Sequence, residues 1–381
     1  MESLCSAISQ FSLDLFKNLS EKQTSNIFYS PLSISSALAM VCMGARGKTA
    51  AEIMKSLHVH KAGDDVHSYF SSLITDINKP GASYQLSLAN RLYGEKSFEF
   101  LKEFIGKTTT FYHASLEAVD FIQAPEASRK TINAWVEKQT NGKYFFLYLS
   151  LYRNVDALTR LVLVNAVYFK GNWEKKFQES ETINGQFRIN KNETRPIKMM
   201  YQKSKFNITY ISELKCRILE LPYVGNELSM LIMLPSNIED NSTGLEKLEK
   251  SLTWEKLQEW TNPDMMDNEE TEVSIPKFKL EEAYDLKKTL MSMGIVDAFD
   301  PKRSDFSGMS SNNNLFLSRA IHKSYVEVNE EGTEAAAATA MVFSDRCAFF
   351  TMPFTADHPF LFFIRHNKTR SILFYGRFCT P

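Results

Sequence analysis

Apolar residues recur every three to four positions through most of the first 140 residues. Leu4, Ile8, Phe11, Leu15 and Leu19, interleaved with Glu2, Asp14 and Lys17, predict an amphipathic helix over residues 1–19. Residues 30–43 open on a Ser suited to capping, place Pro31 in the first turn and run apolar to Gly44, which predicts a second helix. Residues 49–57, 65–77, 101–112 and 124–139 carry the same spacing, and a strand at 84–93 interrupts the series.

After Arg160 the pattern changes. Residues 161–169 read LVLVNAVYF, a run of β-formers whose only polar member is Asn165, as expected of a strand buried on both faces. Strands are also predicted at 217–221, 228–234, 271–278, 324–330, 360–366 and 372–378, with helices at 245–252, 253–260 and 283–293. Polar loops are predicted at 236–243 and 262–270. Helices first and strands later, without repeats or a low-complexity linker, predict an α+β protein whose distant segments share sheets.

Composition narrows the function. Lys plus Arg number 44 against 45 Asp plus Glu, so no global charge draws nucleic acid or a membrane surface. No window is apolar for the length of a membrane span. The N-terminal helix lacks the layout of a signal peptide, and Cys5, Cys42, Cys216, Cys347 and Cys379 are scattered without CxxC spacing. Free thiols in a cytoplasmic protein are expected, with release by an unconventional route left open. The N-x-S/T triplets at Asn18, Asn192, Asn207, Asn241 and Asn367 carry no weight without a secretory route. Gly44 to Thr49 has two residues between its glycines where a phosphate loop needs four, so it reads as a turn between helices. HExxH, GxSxG and zinc-ligand spacing are missing, and no metal, cofactor or catalytic residue is expected.

One segment does not read as ordinary structure. Residues 330–346, EEGTEAAAATAMVFSDR, follow a strand-like stretch, and between Gly332 and Ser344 only Glu334 is charged. Drawn as a strand, the segment puts Thr333, Ala335, Ala337, Thr339, Met341 and Phe343 on one face. Glu334, Ala336, Ala338, Ala340, Val342 and Ser344 take the other. The first face is uncharged and small, then apolar, and could be buried between existing strands. Arg346 follows, a good bait for a protease with an acidic specificity pocket. An insertable strand with a cleavable bond and a mobile Ala-rich loop with an incidental Arg are both open on these residues alone.

Motifs along the whole chain resemble the serpin family. The block NxFxSPxSIxxAL stands at Asn26, Phe28, Ser30, Pro31, Ser33, Ile34, Ala37 and Leu38. LVNAVYFKGNW runs from Leu163 to Trp173, VNEEGTEAAAAT from Val328 to Thr339, ADHPFLFFI from Ala356 to Ile364 and LFYGRF from Leu373 to Phe378. The start without a leader and the short end after GRF resemble the intracellular ovalbumin-like branch, clade B.

The resemblance implies one domain over residues 1–381 with three β-sheets, about nine helices and an exposed reactive-centre loop at about 331–352. It implies a monomer that is not an enzyme but a suicide substrate for a serine protease. The protease serine attacks the Arg346 carbonyl and forms an acyl-enzyme, with Cys347 released as the new N-terminus, and the protease is held covalently while the loop inserts into the main sheet. Trypsin-like targets are expected from Arg346, narrowed by Asp345, with a chymotrypsin-like cut after Phe343 second. The hinge implied is Glu331, Gly332, Thr333, Glu334, Ala335, Ala336, Ala337, Ala338 and Thr339. Ser30, Ser33, Asn165 and His322 are implied to form a hydrogen-bonded shutter, and Trp173 to lie beneath the point where the loop enters. No basic cluster on the helix at 65–77 suggests heparin binding. Residues 144–153 (YFFLYLSLYR) depart from the family pattern, as an apolar linker that could slow insertion or form a partner surface. The alternative to inhibition is a non-inhibitory serpin acting as a binding or substrate-like protein.

Overall fold

A computed structural model describes residues 2–21, 23–60, 65–139, 155–312, 314–333 and 353–381. Three expected features lie outside them: residues 144–153, the hinge residues Glu334, Ala335, Ala336, Ala337, Ala338 and Thr339, and the bond between Arg346 and Cys347.

The chain opens with α1 (Glu2–Ser20), β1 (Ile27–Tyr29), α2 (Pro31–Gly44), α3 (Gly47–Ser56) and α4 (Val66–Ile77). Then come β2 (Tyr84–Glu95), α5 (Lys102–Tyr112), β3 (Ser115–Val119), α6 (Pro125–Gln139) and β4 (Leu161–Asn172). The second half has β5 (Ile183–Arg188), β6 (Thr194–Ile211), β7 (Cys216–Pro222), β8 (Leu228–Pro235), α7 (Glu246–Ser251), α8 (Trp254–Trp260), β9 (Asp267–Pro276), β10 (Phe278–Asp285) and α9 (Lys287–Ser292). It closes with β11 (Leu317–Val328), β12 (Gly332–Thr333), β13 (Phe354–Thr355), β14 (Phe360–His366) and β15 (Ser371–Phe378).

The main sheet has the order β10-β11-β12-β4-β2-β3. The other nine strands join through β6, whose first residues pair with β5 and last with β7. The described strands thus form two sheets where three were expected, because β6 is 18 residues long and pairs with β5 at one end, β7 at the other and β9 between, joining all nine strands into one. α2 is buried nearly all round, which is why its sequence is apolar on every side rather than along one stripe. It packs on both β4 and β15, joining the main sheet to the other. The Ser30 hydroxyl accepts from the Ser33 N–H at 3.2 Å and caps α2 as its sequence suggested.

Several expectations are corrected. Residues 283–293 are not one helix: Ala283 to Asp285 end β10, and the helix starts at Lys287. β10 lies at the edge of the main sheet, where its ladder to β11 outweighs the local helical pattern. The loop expected at 262–270 already enters β9 at Asp267. The strand expected to reach Glu330 ends at Val328, because Asn329 turns the chain back toward Gly332.

Candidate functional site

Two polar clusters flank the seam between β4 and β11. These strands run parallel, with Leu317 beside Leu161 and Tyr325 beside Tyr168. At one end of the seam β12 lies between them and pairs antiparallel to both. Thr333 stands beside Val328 on β11 and Gly171 on β4, and Gly332 beside Asn172. Thr333 is wholly buried.

The hinge is built into this opening by several contacts. The Asn329 carbonyl accepts from the Trp173 indole N–H at 3.0 Å and from the Gly332 N–H at 3.2 Å. The Asn329 side-chain oxygen accepts from the Glu331 N–H at 3.0 Å. The Trp173 ring stacks on Tyr223, centroids 4.7 Å apart, and the Tyr223 hydroxyl lies 2.9 Å from the Thr333 hydroxyl. Glu331 pairs with Lys176, and Glu330 with Lys277 at 2.7 Å. Burial pushes the Glu330 carboxyl up, but hydrogen bonds from Lys277 and Thr182 more than offset this and leave it below its usual range.

Gly332 has φ +146°, and a Cβ there would sit 2.2 Å from the Gly171 carbonyl oxygen and 2.6 Å from the Asn172 Cα. Both obstacles are backbone, so no side-chain rotation relieves them. Gly332→Ala is therefore expected to push β12 out of the seam, seen as loss of hydrogen-exchange protection at Thr333 with the rest of the sheet unchanged.

The second cluster lies midway along the seam. Asn165 and His322 are direct partners across it, and Asn90 stands beside Asn165 on β2. The Asn165 amide donates to the Ser33 hydroxyl and to the Asn90 side-chain oxygen, and the Asn90 amide to the Ser36 hydroxyl at 3.2 Å. The Ser30 N–H can only donate, and it points at His322 Nε2 from 3.1 Å. His322 Nε2 must therefore be bare, with its proton on Nδ1, donated to the Asn165 side-chain oxygen. Complete burial pulls the His322 pKa down to about 3, so the imidazole is neutral.

Ser30, Ser33, Asn165 and His322 are thus brought together around one seam, with Trp173, Glu331, Gly332 and Thr333 at its open end. The sequence reading missed Asn90, Ser36, Tyr223, Asn329, Lys176 and Lys277. Asn329 alone carried a signal, as the second residue of the VNEEGTEAAAAT motif; Asn90 is one of several polar residues in its strand and does not stand out as Asn165 does. Among the described residues no helix is long and apolar enough to cross a membrane, and no cluster has the makings of a metal site.

Residues 6–381 match the family described as Serpin (serine protease inhibitor). The chain is 56% identical over 382 residues to the leukocyte elastase inhibitor of Homo sapiens, and 53% identical over 383 residues to serpin B6 of Pongo abelii. All of each chain is covered in both cases. It is similar to the crystal structure of uncleaved ovalbumin, with TM-score 0.90, 38% identity and full coverage of both chains.

Proposed function

The chain belongs to the serpin family of serine protease inhibitors, in keeping with clade B, and from this premise we propose that it traps a trypsin-like protease that attacks Arg346. The observation that carries the proposal is the register of β12. It is antiparallel to β4, so each residue forward on the loop answers one residue back on β4. Continued in that register, Ala335 and Ala337 meet the large side chains of Phe169 and Val167. Thr339 stands level with both Asn165 and His322, where its hydroxyl can replace the hydrogen bond that insertion breaks. Phe343 reaches Leu161, the far end of β4.

The inserted strand, residues 333–343, is roughly 36 Å long. It exchanges one parallel ladder for two antiparallel ones, a net gain of about one ladder. At about 0.5–1.5 kcal/mol per hydrogen bond the gain is on the order of 10 kcal/mol, comparable to a domain's whole stability. That can distort a protease enough to stall deacylation, since the oxyanion hole depends on exact placement of its donors. The protein itself turns over nothing.

Arg346 falls three residues past the end of the seam, so its acyl bond clears the sheet. A cut after Phe343 would end the tether inside it, which argues for Arg346. The name of the leukocyte elastase inhibitors favours the second reading, a protease that prefers an apolar residue such as Phe343. Mixing with trypsin, chymotrypsin and elastase separates the two. With trypsin we expect a boiling-resistant complex and release of the 35-residue peptide that begins at Cys347. In Arg346→Ala the trypsin complex should fall at least a hundredfold. A complex with elastase or chymotrypsin alone would favour Phe343, and cleavage by all three without a complex would favour the non-inhibitory serpin.

Work in the reducing cytoplasm belongs to the same proposal. Cys216 and Cys379 are supporting features, buried free thiols pushed up to about 12 by burial and so protected from oxidation.

A further inference from the structure

The hinge brings three acids to the mouth of the seam, and the fold already matches two of them with lysines. Glu330 pairs with Lys277 at 2.7 Å and Glu331 with Lys176. The third, Glu334, is the only charge between Gly332 and Ser344, the stretch that must enter the sheet. Lys170 of β4 is a third lysine at the same mouth. It is half-buried, and its side chain has no hydrogen-bond or ion-pair partner among the described residues.

Two registers lead Glu334 to Lys170. β12 is antiparallel to β4 with Thr333 beside Gly171, so the next pair is Glu334 with Lys170. β12 is also antiparallel to β11 with Thr333 beside Val328, so Glu334 meets Glu327 on its other side. The direct pairing of β4 with β11 stops at Tyr168 and Tyr325, so Lys170 and Glu327 flank the first level below β12. Side chains alternate along these strands. Phe169 and Val326 face the main core, while Tyr168 and Tyr325 form a separate cluster on the opposite face. Lys170 and Glu327 share that second face, and the alternation from Thr333 puts Glu334 on it as well.

Glu327 cannot welcome another acid. It accepts from the Tyr325 hydroxyl at 2.7 Å and stands beside Lys279 of β10. Its charge opposes a second carboxylate arriving one strand away, since like charges directly opposite in a sheet destabilise the pair. Lys170 offsets that repulsion from the other side. With it the row across the sheet reads Lys279, Glu327, Glu334, Lys170, two cations and two carboxylates. We propose that Lys170 is a positioning residue for insertion, the counter-charge that draws Glu334 into the first level below β12 and fixes the register of the entering strand. A slip of two residues keeps the faces but takes Glu334 past Lys170 to Tyr168, or leaves it short at Asn172, and forfeits the pair. The proposal deepens the function argued above and rests on it.

The test is a double-mutant cycle on the full chain, read as the ratio of plainly cleaved chain to boiling-resistant complex after mixing with trypsin. Lys170→Met keeps the apolar stem and removes the charge. It is expected to raise the ratio about fivefold, because insertion loses its first favourable contact and plain hydrolysis overtakes it. Glu334→Gln alone should change the ratio by less than about twofold, having no charge to place. Glu334→Gln added to Lys170→Met should bring the ratio back to that level, a recovery that a merely structural role for Lys170 would not give. The rate of attack at Arg346 should be that of wild type throughout. Equal ratios for wild type and Lys170→Met, or a rise that Glu334→Gln fails to relieve, overturn the assignment and leave the inhibitory function standing. Failure of the wild type to form a boiling-resistant complex overturns the function, and this assignment with it.

Discussion

Thr333→Arg is expected to turn the protein from an inhibitor into a plain substrate. Thr333 has no exposed surface, its hydroxyl is 2.9 Å from that of Tyr223, and backbone of β11 and β4 flanks it on both sides. An arginine there must either carry its charge into that site, at several kcal/mol, or swing β12 out of the seam. The second is cheaper, since β12 is only two residues long and the seam below it is already paired. Insertion then loses its first step and slows, while attack at Arg346, thirteen residues away, proceeds as before. Mixed with trypsin, the variant should be cut at the wild-type rate with the boiling-resistant complex reduced at least a hundredfold. Thr333→Ser, which keeps the hydroxyl, should retain the complex. A full complex from Thr333→Arg would show that the hinge does not enter where β12 now lies.

Most of this architecture was legible wherever burial is strong. LVLVNAVYF is apolar on both faces because β4 is central in its sheet, and α2 is apolar all round because it lies between two sheets. The longest strand, β6, was missed. It alternates Lys198, Lys203 and Lys205 with apolar residues and is exposed along much of its length, so its pattern resembles a polar linker. The shutter residues could be named from family motifs, but their hydrogen-bond partners could not. Asn90 and Asn165 are 75 residues apart and meet only through the register of β2 on β4. Tyr223 lies just past the end of β7, and nothing local in its sequence points to Thr333, 110 residues further on. The alternation of small side chains in the hinge was visible in the sequence. Which residue of β4 each one would meet became definite only with the pairing of Thr333 and Gly171.

The second large effect expected is acid loosening of the shutter through His322. The Ser30 N–H requires a bare Nε2, and protonation would set two N–H groups against each other at 3.1 Å. The folded imidazole therefore resists the proton down to about 3, while the unfolded chain takes it up near the ordinary 6.5. The sign follows from this difference. Above about pH 6.5 neither state is protonated there and the stability is full. As the pH falls toward 3 the unfolded state binds the extra proton and stability declines. At about 1.4 kcal/mol per pH unit the whole window is worth roughly 5 kcal/mol. The residues that hold the seam closed are those His322 touches, Asn165 across it and Ser30 at the start of α2, with the Tyr284 ring stacked on its other side. Loss of stability should therefore concentrate between β4 and β11, and spontaneous opening of the sheet should rise with it. Carboxylates elsewhere also titrate in acid, so the informative quantity is the difference between wild type and His322→Gln. At pH 7.5 the variant should be less stable by about 2–4 kcal/mol, having lost a buried hydrogen-bonding partner. Between pH 6 and 4 the wild-type stability should fall more steeply than the variant's, by about one proton's slope, and the two curves should converge. Denaturant unfolding at half-unit intervals of pH measures this directly, and parallel curves would mean that His322 does not hold the seam against acid.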